Sequence, residues 1–352
     1  MPLTPDDVLG ADLSGGLSPD KELVFAAQPD DPDMRESMSL WLYDDRGRFA
    51  FPRMGIEAEA SSWDNRRVQG NFSFPGGRIL NGAGIGAAHS PIAADGRPTI
   101  LGAGPIRFEM LEPFRRWRVV FDGSVIDGTS EQQIAKTLDP ARRTDVRLDV
   151  ELEMVVPAWV QDLSPEAVAK LSPEAQVEAA NMGIGWRLEQ LFRARGTYTV
   201  DGQTHDFTGT GSRIKRQSVR PLAGFRGHTW QSAVFPNGDG FGSLAYPPRD
   251  DGSEGHNDAY VYKDGRFYPA KLVRVPWLRR IVSEGDDVSL ALESDLGITE
   301  IGGVTSPSTF RVGNPDIGGL NLQQGGAVYT WGDQSAYGMI ERSAHESLTA
   351  IG

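Results

Sequence analysis

The sequence predicts an all-β protein: two antiparallel barrel- or sandwich-like domains with short helices between them. Three observations carry this expectation. The 42 glycines separate short segments rich in Val, Phe, Tyr and Trp, the pattern of many strands joined by turns. Asp-Gly pairs sit where hairpin tips belong. One alanine- and glutamate-rich stretch near the middle breaks the β pattern. At 352 residues the chain is long for one compact domain and suits two.

Each element follows in order. "SLWLYDDRGRFAFPRMGIEA" reads as two strands joined at Asp44-Asp45-Arg46-Gly47. "NGAGIGAAHS" carries Gly82, Gly84 and Gly86, but not at the spacing of a dinucleotide fingerprint, and reads as a turn beside a strand. "VRLDVELEMVV" alternates apolar and charged residues, the mark of a half-buried antiparallel strand. "LSPEAVAKLSPEAQVEAANMG" holds two Ser-Pro-Glu starts, at Ser164 and Ser172. Proline is favoured at the first helical position, so this segment reads as two short helices, or one broken at Pro173. The resulting division is an N-terminal β domain over 1–160, a helical connection over 161–184 and a C-terminal β-barrel-like domain over 185–352. Within the last, hairpins are expected at Asp201-Gly202 and Asp264-Gly265, pairs that tolerate the positive φ of a tight turn. A closed barrel of about eight strands can hold one apolar ligand in its mouth; sequence alone does not choose barrel over sandwich.

Composition narrows the function classes. A net charge of −13, spread along the chain, repels nucleic acid and anionic membrane surfaces. The basic clusters "RRTDVR" and "RIKRQSVR" read as solvated strand faces. No uncharged apolar run is long enough to span a bilayer, so no integral membrane association is expected. The start "MPLTPDDVLGADLSGG" lacks the form of a secretory signal. With no cysteine, disulfides, thiolate catalysis and cysteine-ligated zinc are excluded, which fits a cytoplasmic protein. The five histidines are scattered without ligand spacing, and neither a nucleophile elbow nor a phosphate loop is present, so no metal and no cofactor are expected. Oligomeric state is not legible.

The stretch "GFRGHTWQSA" sets Arg226, His228 and Trp230 at two-residue spacing, which places them on one face of a strand. In "GHNDAYVYKDG", Asp258, Tyr260 and Tyr262 form a second such row. Each row has a plain structural reading, a satisfied histidine with core aromatics, and a functional one, an acid beside aromatic faces. Nothing in the sequence shows whether the two rows meet.

"LAGFRGHTWQSAVFPNGDGFG" resembles the Arg-x-His-Ser/Thr-Trp strand of the two-domain lipocalin-like (calycin) superfamily. That group contains the carotenoid 1,2-hydratases (hydroxyneurosporene synthases), with tocopherol cyclases and fungal Diels–Alderases as more distant members. "PDMRESMSLWLYDDRG" resembles its early Glu-Ser strand, "EPFRRWRVVFDG" its Pro…Trp…Phe-x-Gly strand, and "RARGTYTVDGQTHDFTGTGSR" its glycine-rich hairpin. The chain departs from the pattern at Gln231-Ser232-Ala233 and at Gly227, where relatives often carry Gly-x-Arg and an acidic residue.

The resemblance implies acid-catalysed chemistry without a cofactor: a hydratase (lyase), cyclase or isomerase acting on a small hydrophobic, alkene-bearing or aromatic, terpenoid-like molecule. A desolvated acid protonates the double bond, and aromatic faces stabilise the cation, by ~2 kcal/mol or more when dry. By motif, His228 relays the proton and Trp230 lines the cation site with Tyr260. Asp258 is the expected acid, and Arg226 and Tyr262 bind substrate. The alternative is a carrier that buries a hydrophobic ligand unchanged.

Overall fold

A computed structural model describes residues 11–219, 225–314 and 319–352. Residues 1–10, Arg220 and residues 222–224 of the stretches quoted above lie outside them. The first half forms one antiparallel sheet. Its strands are β1 (Met34–Asp44), β2 (Ala50–Glu59), β3 (Asn65–Ser73), β4 (Arg78–Ala87), β5 (Ile100–Ala103), β6 (Ile106–Glu112) and β7 (Arg116–Thr129). After a short helix α1 (Ser130–Ile134) come β8 (Arg143–Met154), β9 (Trp159–Leu163), the helices α2 (Pro165–Val168) and α3 (Pro173–Met182), and a long hairpin, β10 (Ile184–Val200) and β11 (Gln203–Val219). The spatial order is β4-β3-β2-β1-β11-β10-β8-β7-β6-β5. Because β4 also pairs with β7, from Arg78↔Thr129 to Asn81↔Ile126, the sheet curls back on itself.

The second half begins with β12 (His228–Val234), β13 (Gly240–Ala245), β14 (Asn257–Lys263) and β15 (Arg266–Arg274). It continues through a short β16 (Arg280–Ile281), then β17 (Leu290–Ser294), β18 (Gly297–Asn314), β19 (Leu320–Trp331), β20 (Gln334–His345) and a terminal β21 (Ala350–Ile351). Strands β12 to β15 and β17 to β20 close a barrel, with β12 paired to β20. The all-β expectation holds, and so do the Asp-Gly hairpins: Asp201 and Gly202 sit at φ 52° and 74°, Asp264 and Gly265 at 50° and 73°. Ser164 and Ser172 cap two separate short helices, accepting from the backbone N–H of Ala167 and Ala175.

Three local expectations are corrected. The hairpin β10–β11, assigned by sequence to the C-terminal domain, lies in the first sheet between β8 and β1. The division at 161–184 therefore falls inside the first sheet, and the passage to the barrel comes after Val219. The glycines of "NGAGIGA" lie within β4 rather than in a turn. The basic stretch on β11 does not face solvent: Arg213 is 1% exposed and Lys215 not at all. Strand alternation sends both into the interior of the first sheet, where partners from the N-terminal segment wait.

That interior is a core of Leu40, Leu42, Phe51, Phe72, Phe121 and Phe192, among others, and a 3-10 turn at Pro19–Glu22 crosses one end of it. Glu22 receives Arg213 at 2.8 Å and the Trp117 indole N–H at 2.9 Å. Glu36 receives the Phe25 N–H and the Gln217 side chain, while Lys215 donates to the carbonyls of Lys21 and Leu23. Buried charges persist only when bonded this completely. Burial pulls the Lys215 ammonium down to about 8, against the attraction of Glu36 and Glu22.

Strand β1 is buried on both sides. Met38, Leu40 and Leu42 join the first core, and the intervening Trp41 and Tyr43 pack with Trp230 and Tyr260 on the outside of the barrel. The barrel's own interior is filled by Phe241, Val261, Leu290, Leu292, Ile301 and Tyr329. The space for a ligand described below lies between the two bodies, outside the barrel.

Replacing Glu22 with Ala strands Arg213 without its carboxylate, and urea denaturation should show a loss of about 3 kcal/mol. For Lys215, the folded state sheds its proton near pH 8 while the unfolded chain keeps it to about 10.5. The unfolded state thus binds more protons in that window, so stability from this group rises with pH. Relative to Lys215→Met, the native protein should gain stability between about pH 8 and 10.5 in paired denaturation curves.

Candidate active site between the sheet and the barrel

A cleft of about 1120 Å³ separates the outer face of the first sheet from the outer face of the barrel. On the sheet side, register builds its floor. Ser39 of β1 lies opposite Gly55 of β2, Gly55 opposite Gln69 of β3, and Gln69 opposite Ala83 of β4. The short side chains of Ser39, Gly55 and Ala83 in this row give the cleft its depth, and a Cβ on Gly55 would come 2.4 Å from the Ser39 hydroxyl. The next row is charged. Glu57 accepts from Arg35 at 2.8 Å and from Arg53 at 3.1 Å.

On the barrel side, β12 contributes His228 and Trp230, and its neighbour β20 contributes Ser343 and Glu341 directly opposite them. His228 Nδ1 lies 2.7 Å from Ser343 Oγ, and Nε2 lies 3.2 Å from Glu341 Oε1. The His228 backbone N–H also donates to Ser343 Oγ, at 3.1 Å. The hydroxyl can then donate its own O–H to Nδ1 as a hydrogen bond, which leaves Nε2–H pointing at the carboxylate. Glu341 Oε2 receives Gln324 Nε2 at 2.8 Å, and the Gln324 carbonyl oxygen in turn accepts from Gln69 across the cleft, also at 2.8 Å. Arg53 Nη1 stands 3.7 Å from Glu341. Burial alone would raise the Glu341 carboxyl, but the His228 hydrogen bond and Arg53 outweigh it and hold the group below the usual range. The pair is therefore a carboxylate holding an imidazole N–H.

Trp230 closes one end of this space. Its ring meets Trp41 edge-on at 4.8 Å between centroids, its indole N–H donates to Glu189 at 2.8 Å, and the Arg187 guanidinium lies 4.9 Å from its ring centre. The two sequence rows thus converge on this indole without sharing the cleft. Asp258 and Tyr260 are absent from its lining. Asp258 sits near Arg187, and burial raises its carboxyl to about 6 against the bonds from the Ala259 N–H and Trp159. Burial likewise lowers the neighbouring His256 to about 4, with Arg187 adding to the effect. Tyr260 is stacked on Phe267 at 4.5 Å and meets Trp159 at 5.3 Å, so its faces are occupied by the core. Tyr262 packs in the same cluster.

Arg226 leaves the expected row. The strand begins at His228, and Gly227 before it has φ 118°. Only glycine fits there, since a Cβ would lie 2.4 Å from the Ser343 carbonyl oxygen. The turn sends Arg226 to the carbonyls of Pro247 and Pro248, at the surface beside α3.

Sequence reasoning missed Glu341, Ser343, Arg53 and Gln324. The available signal was Glu341 and Ser343 at two-residue spacing in "ERS" of β20; the closure of β12 onto β20, which brings them to His228, leaves no local trace.

No curated protein sequence matches the chain. Among solved structures, a Nitrosomonas europaea protein described as an AttH superposes with a TM-score of 0.58 at 15% identity, covering 95% of this chain and 99% of that one; the fold is shared. Kievitone hydratase from Nectria haematococca (TM-score 0.48, 9% identity, 95% and 97% covered) and CghA (0.48, 9%, 89% and 88%) are more remote. Residues 18–346 match the family described as Domain of unknown function (DUF7064), and the chain belongs to that family.

Proposed function

We infer that the cleft is the active centre of a cofactor-independent acid–base enzyme, of the kind that adds or removes water or shifts a double bond. The observation that carries this reading is the His228–Glu341 pair, buried at the wall of a large cleft beside Trp230 and Trp41. A general base must lie within hydrogen-bond reach of an orienting group and open onto space for substrate. His228 lines the cleft and is oriented by Glu341, and its unprotonated Nδ1 becomes available as the base when the Ser343 hydroxyl turns away from it. Glu341 orients the ring and favours its protonated form once a proton has been taken from substrate.

The chemistry suits a different proton than the resemblance implies. Protonating an isolated alkene calls for a strong acid in a dry apolar pocket, whereas this cleft is lined by Arg35, Arg53, Glu57 and Glu341. A histidine–carboxylate pair is matched to a carbon acid made reactive by a neighbouring carbonyl. A nearby guanidinium such as Arg53 can stabilise the oxyanion that forms. If the imidazolium gives the abstracted proton to a β-hydroxyl, which then leaves as water while the double bond forms, the reaction is dehydration; the reverse is hydration, and return of the proton to another carbon is isomerisation. Trp41 and Trp230 offer an apolar wall for the unsaturated body of the substrate. Asp258, behind Trp230, is not required in this scheme.

Extraction of the natively purified protein, followed by mass spectrometry, would supply a compound to test in D2O. The native protein should convert it with deuterium entering at carbon. His228→Asn and Glu341→Gln should each slow conversion by roughly 10²–10⁴-fold while melting close to the native temperature. A bound compound returned unchanged by the native protein would instead identify a carrier.

A further inference from the structure

The cleft differs in charge from the molecule that contains it. The whole chain has 48 acidic against 35 basic residues, yet the cleft is lined by six basic residues, Arg35, Arg53, Arg67, Lys136, Arg216 and Arg311, and only four acidic ones. Two of the four are already engaged: Glu57 with Arg35 and Arg53, and Glu341 with His228 and Gln324. Among the described residues, Arg67, Lys136 and Arg311 have no carboxylate within ion-pair distance. The Nε–H groups of Arg35 and Arg53 are buried without an acceptor, an arrangement that costs free energy until something accepts from them.

The cations of one rim are deliberately placed. Gln133 of α1 bonds both the N–H and the carbonyl of Arg311 on β18, and Arg311 Nη1 donates to the Ile134 carbonyl, closing the end of the helix. Lys136, two residues on, adopts φ 58°, uncommon for a side chain of its size. Its ammonium lies beside Gly313 of β18, where an added Cβ would come 2.7 Å from Nζ. The contact of the two bodies thus sets Lys136 and Arg311 together at the cleft edge.

We propose that the cleft takes an organic carboxylate with an apolar, unsaturated body, its carboxylate held at the Lys136–Arg311 rim and its body lying along the Gly55–Ser39 floor toward Trp41 and Trp230. The lining is apolar in the required places, with Ile214, Leu322 and Trp230. A doubly charged phosphate fits less well, because Glu57 and Glu341 share the space. The inference deepens the acid–base reading of the same cleft and rests on it only for the identity of the reacting carbon.

The test is a matched pair of probes, 4-phenylbut-3-enoate and its primary amide, bound to the full chain and followed by calorimetry. The acid should bind at least about tenfold more tightly than the amide, with added salt weakening only the acid. Lys136→Gln, at an exposed position, should cut that preference severalfold. The double variant with Arg311→Gln should abolish it while the amide binds as before. Equal binding of acid and amide, a preference that survives Lys136→Gln, or no binding of either at millimolar concentration would each overturn the proposal. Acid selectivity in a protein that turns nothing over would overturn the enzyme reading and leave this one standing. Turnover of a neutral compound without acid preference would do the reverse.

Discussion

The contact between Trp41 and Trp230 is the constraint on which the rest of the molecule depends. Two curved sheets, each with its own apolar interior, need not touch at all. Here the outward-facing residues of β1 are as buried as the inward-facing ones, because the barrel covers them. The edge-on pair of indoles adds about 1 kcal/mol beyond the area it buries, but its larger effect is geometric. It sets the distance at which the two outer faces stand apart, and the cleft is what remains beyond it. Tyr43, bonded to the Gly325 carbonyl, and Gln69, bonded to Gln324, hold the same spacing on either side.

Polar groups are distributed according to how much water each site retains. Glu22, Arg213, Glu36 and Lys215 are sealed in the first sheet, and each charge there has partners in the plugging segment. In the cleft both oxygens of Glu57 and of Glu341 are bonded, but the Nε–H groups of Arg35 and Arg53 lack acceptors. Buried groups that are fully bonded hold a structure together; groups left waiting within reach of solvent are where ligands bind.

Much of the fold was legible because strands, turns and caps are local. Asp-Gly tips need positive φ, Ser-Pro-Glu opens a helix, and alternation marks β8, all within a dozen residues. The boundary between the bodies was not, since β10 and β11 carry the same alternation whichever sheet they join. Only the pairing with β1 and β8 decides it. Similarly, His228 and Trp230 could be singled out by spacing, and both line the cleft. Their partner Glu341 lies 113 residues away in sequence and becomes adjacent only through barrel closure. Arg226 failed the spacing argument because one glycine at φ 118° breaks the period of two before the strand begins. The same glycine leaves no room for a side chain beside Ser343, and the carboxylate bonded to His228 comes from the neighbouring strand.

The floor residues Ser39, Gly55 and Ala83 lie on a different body from His228 and Glu341. Enlarging one of them reshapes the volume offered to a ligand while the His228–Glu341 pair keeps its register on β12 and β20. The shape of the cleft can therefore change from one wall alone, without disturbing the hydrogen bonds of the other.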